Sequence, residues 1–444
     1  MSDYLKEFVG QGYYIETLGC SKNQVDSENL AAILEEAGMI ERGPDEAYVL
    51  VVNTCSFLEA AVEESVEAIL ECAEFKKDKA KYLVVHGCMT QRYKDKLLSE
   101  LDEVDLFIGT NQSHRLLRKL AEGERLLLDE PQYRPLETFQ KKREEVFAYL
   151  KIAEGCDNRC SYCMIPYIRG PFVSRRIEEI LREAKHLAAG GVKELILIAQ
   201  DTSRFGIDRG RLELAELLEA LNQVEGLQWI RLQYLYADVI DEKLLRTMKR
   251  LDKVVPYFDM PLQHINQEIL KRMNRHTTTQ STKEIIALIR SIMPGAVLRT
   301  TLITGFPGET KEAHQELMAF IEETRFDRLG VFRYSDEEGS PSSKLDQKIT
   351  EEIKEERYNE IMSTQMRISE EKLAEKLHCK IDVLVDEKTE GGYFGRSLAD
   401  APEVDGVVFI KTQDENLLHQ MIRVYVTATT EYDLEGVPVH EFAK

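Results

Sequence analysis

A chain of 444 residues, 43% of them hydrophobic, is long enough for two to four domains and apolar enough to bury cores, which excludes wholesale disorder. Its 58 basic residues are outnumbered by 79 acidic ones, a net charge of −21, which argues against a nucleic-acid backbone as main partner and suits a basic one. The N-terminus MSDYLKEFVG has neither the basic nor the apolar region of a signal peptide. The longest apolar runs, AYVLVV and ELILIA, fall far short of the ~20 residues that span a bilayer. A cytoplasmic protein with no membrane partner is expected. In a reducing compartment its eight cysteines point to metal binding or catalysis rather than disulfides.

Strands and helical patterns alternate from the start. Tyr13–Leu18 reads as a strand, DSENLAAILEEAGM as a helix, Ala47–Val52 as the next strand, LEAAVEESVEAILECAEF as a helix and Lys81–His86 as the third strand. This rhythm means βαβ units and a parallel sheet of the flavodoxin or Rossmann kind, over residues 11–127. The proline-bearing, charged stretch 128–141 reads as a linker. From 142 to 372 the alternation resumes, with strands expected at Tyr149–Ala153, Glu194–Ala199, Trp229–Leu235, Val255–Asp259, Val297–Ile303 and Arg328–Arg333. Six βα units suggest a full or partial barrel, whose chemistry sits at the C-terminal ends of its strands. TEEIKEERYNEIM to AEKLH reads as a long helix. Over 373–444, IDVLVDE, GYFGRS, GVVFI and MIRVYVTATT are short strands with Gly-rich connections, the mark of a small β-barrel or sandwich.

Six of the cysteines fall into two triplets. Cys156, Cys160 and Cys163 form C-x3-C-x2-C directly after the first barrel strand. Three thiolates on one short loop can bind three irons of a 4Fe-4S cluster and leave the fourth open. Structural zinc wants four ligands, and no fourth Cys or His lies nearby in the sequence. Cys20, Cys55 and Cys88 each stand just beyond a parallel strand, in ETLGC, VVNTC and VVHGC. Ligands bind along that edge of such a sheet, so a second open cluster is expected there. Alone, each would read as a small buried residue. Cys72, within a helix, and Cys379, at the start of the C-terminal β region, read as structural.

The loop CDNRCSYC after a strand that opens a β/α barrel resembles the signature of radical S-adenosylmethionine (SAM) enzymes. LGCSKNQVDSE, NTCSF and HGC resemble the N-terminal domain of methylthiotransferases. The C-terminal β region resembles a TRAM domain, an oligonucleotide-binding-like barrel. Within the methylthiotransferases, IAQDTSRFG, GRSLADAPEVDG and EYDLEG are similar to the branch that modifies an aspartate of small-subunit ribosomal protein twelve. The charge agrees: Glu375 to Lys444 holds 7 basic and 14 acidic residues, a poor grip for tRNA phosphates and a good one for a basic protein.

The resemblance implies two 4Fe-4S clusters, with SAM as radical source and methyl donor. The iron left open by Cys156, Cys160 and Cys163 would chelate SAM. An electron would then break a C–S bond, and the 5′-deoxyadenosyl radical would take hydrogen from the unactivated β-carbon of the aspartate. No side chain does this by acid–base means, because that C–H is not acidic enough. The cluster on Cys20, Cys55 and Cys88 would hold the sulfur, and a reduced electron donor and a sulfur donor are implied. Tyr162, Gln200, Gln263, Gly305 and Gly308 are the candidate SAM contacts, with Asp201 and His264 beside them. Arg169, Arg175 and Arg176 are candidates for a substrate carboxylate, with surface solvation expected of at least two. One departure stands out: where many radical enzymes carry a GGE-type motif, this chain reads AQDTS. The rival readings are the same chemistry on a tRNA adenosine, and a non-catalytic iron–sulfur carrier or RNA-binding adaptor.

Overall fold

A computed structural model of the chain describes residues 3–78, 80–131 and 145–442. Most of the linker expected at 128–141 lies outside them.

The N-terminal unit is one six-stranded parallel sheet in the order β2-β1-β3-β4-β5-β6, from β1 (Gly12–Thr17), β2 (Ile40–Glu41), β3 (Val49–Thr54), β4 (Tyr82–Gly87), β5 (Leu106–Ile108) and β6 (Leu126–Leu127). The central strands β3 and β4 read as near-continuous apolar runs because both faces are covered. Val49, Val51 and Val84 pack with Leu30 and Leu34 of the helix Ser21–Glu36, and Leu50, Val52 and Val85 pack with Ile69 and Cys72 of the helix Glu59–Asp78. The short strands β2, β5 and β6 escape sequence reading because two or three residues show no period.

The central unit holds β7 (Phe147–Lys151), the antiparallel pair β8 (Ala153–Glu154) and β9 (Val173–Ser174), β10 (Glu194–Ile198), β11 (Trp229–Leu232), β12 (Tyr257–Asp259), β13 (Val297–Thr304) and β14 (Arg328–Arg333). Parallel sheets β11-β10-β7 and β12-β13-β14 join through the bridge Ile230–Val254, giving an open six-stranded barrel. Along β10, Leu195 and Leu197 face the surrounding helices, whereas Ile196 and Ile198 face inward. There they meet Val25, so the first helix of the N-terminal unit reaches into the barrel. Local chemistry starts the helices: Thr278 and Ser281 form a capping box before Thr279–Ile292, and Thr310 accepts from Ala313 N at 3.2 Å before Lys311–Thr324.

The helix Glu351–Ala374 leads to a closed barrel of β15 (Lys380–Thr389), β16 (Gly392–Ser397), β17 (Val408–Lys411), β18 (Met421–Thr429) and β19 (Leu434–Pro438), in the order β15-β16-β17-β19-β18. The fifth strand, LEGVP, escaped the sequence reading because Gly436 and Pro438 mimic a turn.

This small barrel closes the N-terminal end of the central one. Arg396 ion-pairs with Glu194, which also binds Arg231 at 2.7 Å, and all three are buried. From the β16–β17 loop, the Leu398 carbonyl accepts from Arg231 at 2.9 Å, Glu403 from the Tyr149 hydroxyl at 2.8 Å and Asp405 from the Tyr257 hydroxyl at 2.6 Å. Asp400 pairs with Arg328. Several acids whose charge the sequence assigned to a partner are thus spent inside the chain. Among the described residues, no helix is long and apolar enough to cross a membrane.

Candidate functional site

The C-terminal strand ends of both parallel units face each other, and each carries a cysteine triplet. Cys20 follows β1 and occupies the N-cap of the helix Ser21–Glu36, an end that favours a bound anion. Cys55 and Cys88 come directly after β3 and β4. Gly19 has a left-handed φ of 92°, and a Cβ there would stand 2.9 Å from the Cys55 sulfur, so only glycine lets the two loops approach.

The second loop is anchored on four sides. Cys156 N donates to Gly170 O at 3.1 Å, Ser161 N to Met273 O at 2.9 Å, Ser342 N to Ser161 O at 2.8 Å, and Asn158 Nδ2 to Asp201 Oδ2 at 2.8 Å. Gly155, one residue before, has φ 79°, and a Cβ would lie 2.0 Å from the Pro171 carbonyl oxygen. Cys160 Sγ lies 3.3 Å from the Tyr236 hydroxyl and 3.9 Å from the Arg275 guanidinium, which stacks on Tyr236.

Burial pushes the thiols of Cys88 and Cys156 up to about 12 and raises those of Cys55 and Cys163, with neighbouring thiols of the same triplet adding to the rise. Among the described residues, no three His, Cys, Asp or Glu side chains converge as ligands of a single ion. A four-iron cluster takes one thiolate at each of three irons, so its ligands need not meet at a point. The all-sulfur donor set fits such a cluster at either triplet.

Between the triplets lies a buried charge network. Arg169, 2% exposed, donates to Asn23 Oδ1 at 2.7 Å, Asp26 Oδ2 at 2.9 Å, Glu154 Oε1 at 3.1 Å and the Cys88 sulfur at 3.4 Å. Lys151 pairs with Asp26 at 2.5 Å and Glu154 at 2.6 Å. Burial would raise the Asp26 carboxyl, but the charges of Lys151 and Arg169 hold it at about 2. A second bridge ties the Cys55 loop to the end of β14. Arg92 donates to Ser56 O at 2.6 Å and forks onto Glu337 at 3.1 Å, and Glu337 accepts from Glu59 N at 3.2 Å.

The remaining sequence candidates divide. Gln200 lies at the seam, its Nε2 donating to Glu154 at 2.8 Å while its buried Oε1 meets no partner among the described residues. Asp201 is buried and holds Asn158 and Ser203. Tyr162 packs edge-on against Phe306. Gln263 sits at φ 71° where the chain bridges to Leu302. His264 is no surface residue: it is buried 3.5 Å from Glu309. Gly305 and Gly308 have φ 73° and 87°, and a Cβ on Gly305 would strike Lys354 at 2.3 Å. Arg169 spends its guanidinium on Asp26 and Glu154, so it is neither solvated nor free for a substrate carboxylate. Arg175 pairs with Glu183 at 2.6 Å, and Arg176 is exposed. Cys72 is buried, as a structural role requires, and Cys379 is exposed. Sequence reading missed Asn23, Asp26, Lys151, Glu154, Tyr236 and Arg275. Only the polar run KNQVDSE after Cys20 signalled any of them, because the other partners come from distant elements.

Three family models match: Radical SAM superfamily over residues 150–321, Uncharacterized protein family UPF0004 over 12–109 and TRAM domain over 379–439. In the solved structures, the chain is similar to the radical SAM methyltransferase TsrM from Kitasatospora setae, with a TM-score of 0.56 and 13% identity over 73% of this chain and 72% of that one. It is also similar to the cobalamin-dependent SAM radical enzyme OxsB, with a TM-score of 0.52 and 14% identity over 82% of this chain and 56% of that one. Those likenesses concern the fold. The ribosomal protein uS12 methylthiotransferase RimO of Thermoanaerobacter sp. (strain X514) is 44% identical over 95% of this chain and 98% of its own. That of Clostridioides difficile (strain 630) is 43% identical over 97% and 99%. The chain therefore belongs to the radical SAM superfamily and, within it, to the RimO family of ribosomal protein uS12 methylthiotransferases.

Proposed function

We propose that this chain is the transferase that adds a methylthio group to the β-carbon of an aspartate in ribosomal protein uS12. Cys156, Cys160 and Cys163 would hold the 4Fe-4S cluster that binds SAM, and Cys20, Cys55 and Cys88 an auxiliary 4Fe-4S cluster. The observation that carries this reading is the pairing of two cysteine triplets across one seam, with Arg169 touching both sides of it. When bound, the SAM cluster supplies the electron that opens SAM to radical chemistry, and the auxiliary cluster supplies the sulfur.

The chain itself supplies position and dryness. Four anchors fix the Cys156–Cys163 loop, so its thiols need no reordering when metal enters. The salt-bridged seam of Lys151, Asp26, Arg169 and Glu154 seals the junction of the two units against water. Gln200 Oε1 is a free acceptor in that seam, suited to a hydroxyl or ammonium of the cofactor. Tyr162 and Phe306 form an aromatic wall beside the loop, and Gln263, Gly305 and Gly308 complete the proposed SAM contacts.

A ribosomal substrate puts the work in the cytoplasm, with a reduced electron donor and a sulfur donor as further partners. The −21 charge supports a basic protein over tRNA. Anaerobic reconstitution should give about eight irons per chain. Incubation with SAM, reductant and sulfide should add one methylthio mass to uS12 and leave tRNA unchanged. About four irons, or modified tRNA beside unmodified uS12, would overturn the reading.

A further inference from the structure

The central barrel is open, and β14 is its terminal strand. Among the described residues it pairs with β13 only. An unpaired edge presents alternate main-chain N–H and C=O groups, and proteins blunt such edges with charge, proline or bulges unless the edge is used. The middle of this edge carries Gly330 and Phe332, neither of them a blunting device. Phe332 is 53% exposed.

A cleft of about 800 Å³ runs along Val331–Asp336. Its far wall is the helix Glu351–Ala374, which presents Glu351, Lys354, Glu355 and Tyr358, and its head is Glu59. The lining holds four carboxylates, Glu59, Asp336, Glu351 and Glu355, against Arg333 and Lys354. Lys354 is buried and committed, donating to Tyr334 O at 2.8 Å and Glu351 at 2.6 Å, and Asp336 is matched by Lys348 from outside the cleft. Glu59 and Glu355 remain against Arg333, which leaves the cleft one charge acidic.

One end of the cleft adjoins the Cys55 loop, and Tyr334 in its wall leads through Phe306 to the other loop. Glu59 is four residues past Cys55, and Glu337 holds its N–H. Tyr334 meets Phe306 edge-on at 5.1 Å, and Phe306 meets Tyr162 of the other loop at 6.4 Å.

We propose that the outer edge of β14 is the docking strand for the protein substrate. An extended basic segment adds to the sheet through main-chain hydrogen bonds and lays alternate side chains on Phe332 and Tyr358. Its leading residue is thereby delivered to the C-terminal end of β14, where the two loops meet. An RNA strand would set its phosphates against Glu59 and Glu355 and gain no main-chain pairing. This inference rests on the reading of the chain as a protein methylthiotransferase.

The test is binding of fluorescently labelled uS12 to the reconstituted full-length protein. Arg333→Pro should raise the dissociation constant at least about tenfold, and Glu355→Lys about threefold, because one removes an edge N–H and the other reverses a solvent-facing charge. Iron content and unfolding midpoint report whether each variant is intact. Glu355 is exposed on a helix, so its variant stays informative if Arg333→Pro does not fold. Wild-type affinity in Glu355→Lys, or in a folded Arg333→Pro, would overturn the docking strand alone. Failure of the unaltered protein to bind or modify uS12 would overturn it together with the functional reading.

Discussion

The guanidinium of Arg169, on the segment that follows one cysteine triplet, stands 3.4 Å from the sulfur of Cys88 in the other. The same group neutralises Asp26 of the N-terminal unit and Glu154 of the barrel. One side chain therefore fixes how the two loops face each other.

Arg169→Met would leave Asp26 and Glu154 with Lys151 alone. An uncompensated buried charge costs about 3–5 kcal/mol, so a loss of that size is expected in urea unfolding of the metal-free protein. A change below about 1 kcal/mol would mean that the seam rearranges and that Arg169 does not hold the units together.

On the proposed function, the two triplets would divide the labour. Cys55→Ala should leave SAM cleavage intact and abolish methylthiolated uS12, whereas Cys156→Ala should abolish both. Chromatography of 5′-deoxyadenosine beside the protein mass distinguishes them. Equal loss of cleavage in the two variants would refute the division.

Arg92 and Glu337 lock the Cys55 loop to the end of β14. Glu337→Gln keeps the shape but weakens a charge-assisted fork to a neutral bond, worth about 1–2 kcal/mol. Iron retention by the auxiliary triplet should fall during gel filtration, while retention by the Cys156 loop holds. Equal loss from both loops would contradict a local latch.

Glu309 gives a pH signature. Burial alone would raise its carboxyl, but the imidazoles of His264 and His314, each 3.5 Å away, and the Arg357 guanidinium outweigh that and hold it at about 2, below the ordinary 4.5. A lowered folded pKa stabilises above the unfolded value and is lost as pH falls through the folded one. Glu309→Gln should therefore cost about 2 kcal/mol at pH 6, and the gap to wild type should close between roughly pH 4.5 and 2. Urea midpoints across that range measure it, and a gap that widens on acidification would reverse the sign.

Much of this could be read without coordinates. The parallel sheet, a βα barrel, full or partial, and the two cysteine triplets follow from strand spacing and from where each thiol falls after a strand. The seam could not be read so. Asp26, Lys151, Glu154 and Arg169 are charged residues on four separate elements, and local patterning assigns such residues to solvent. Only tertiary docking makes them partners. The same holds for His264, which looked like a loop residue and is buried against Glu309. The C-terminal acids misled in the opposite direction: Asp400, Glu403 and Asp405 count towards net charge yet face Arg328, Tyr149 and Tyr257.

The floor of the central barrel is therefore built from a portion of the chain synthesised after the barrel itself. Glu194 and Arg231 await Arg396, about two hundred positions later, before their charges are fully matched. A nascent chain that has already made both cysteine triplets still has an unfinished barrel. Cofactor loading at one mouth and closure at the other thus become separate events in the life of the polypeptide, and a truncated product would carry every thiol while its foundation stayed open to water.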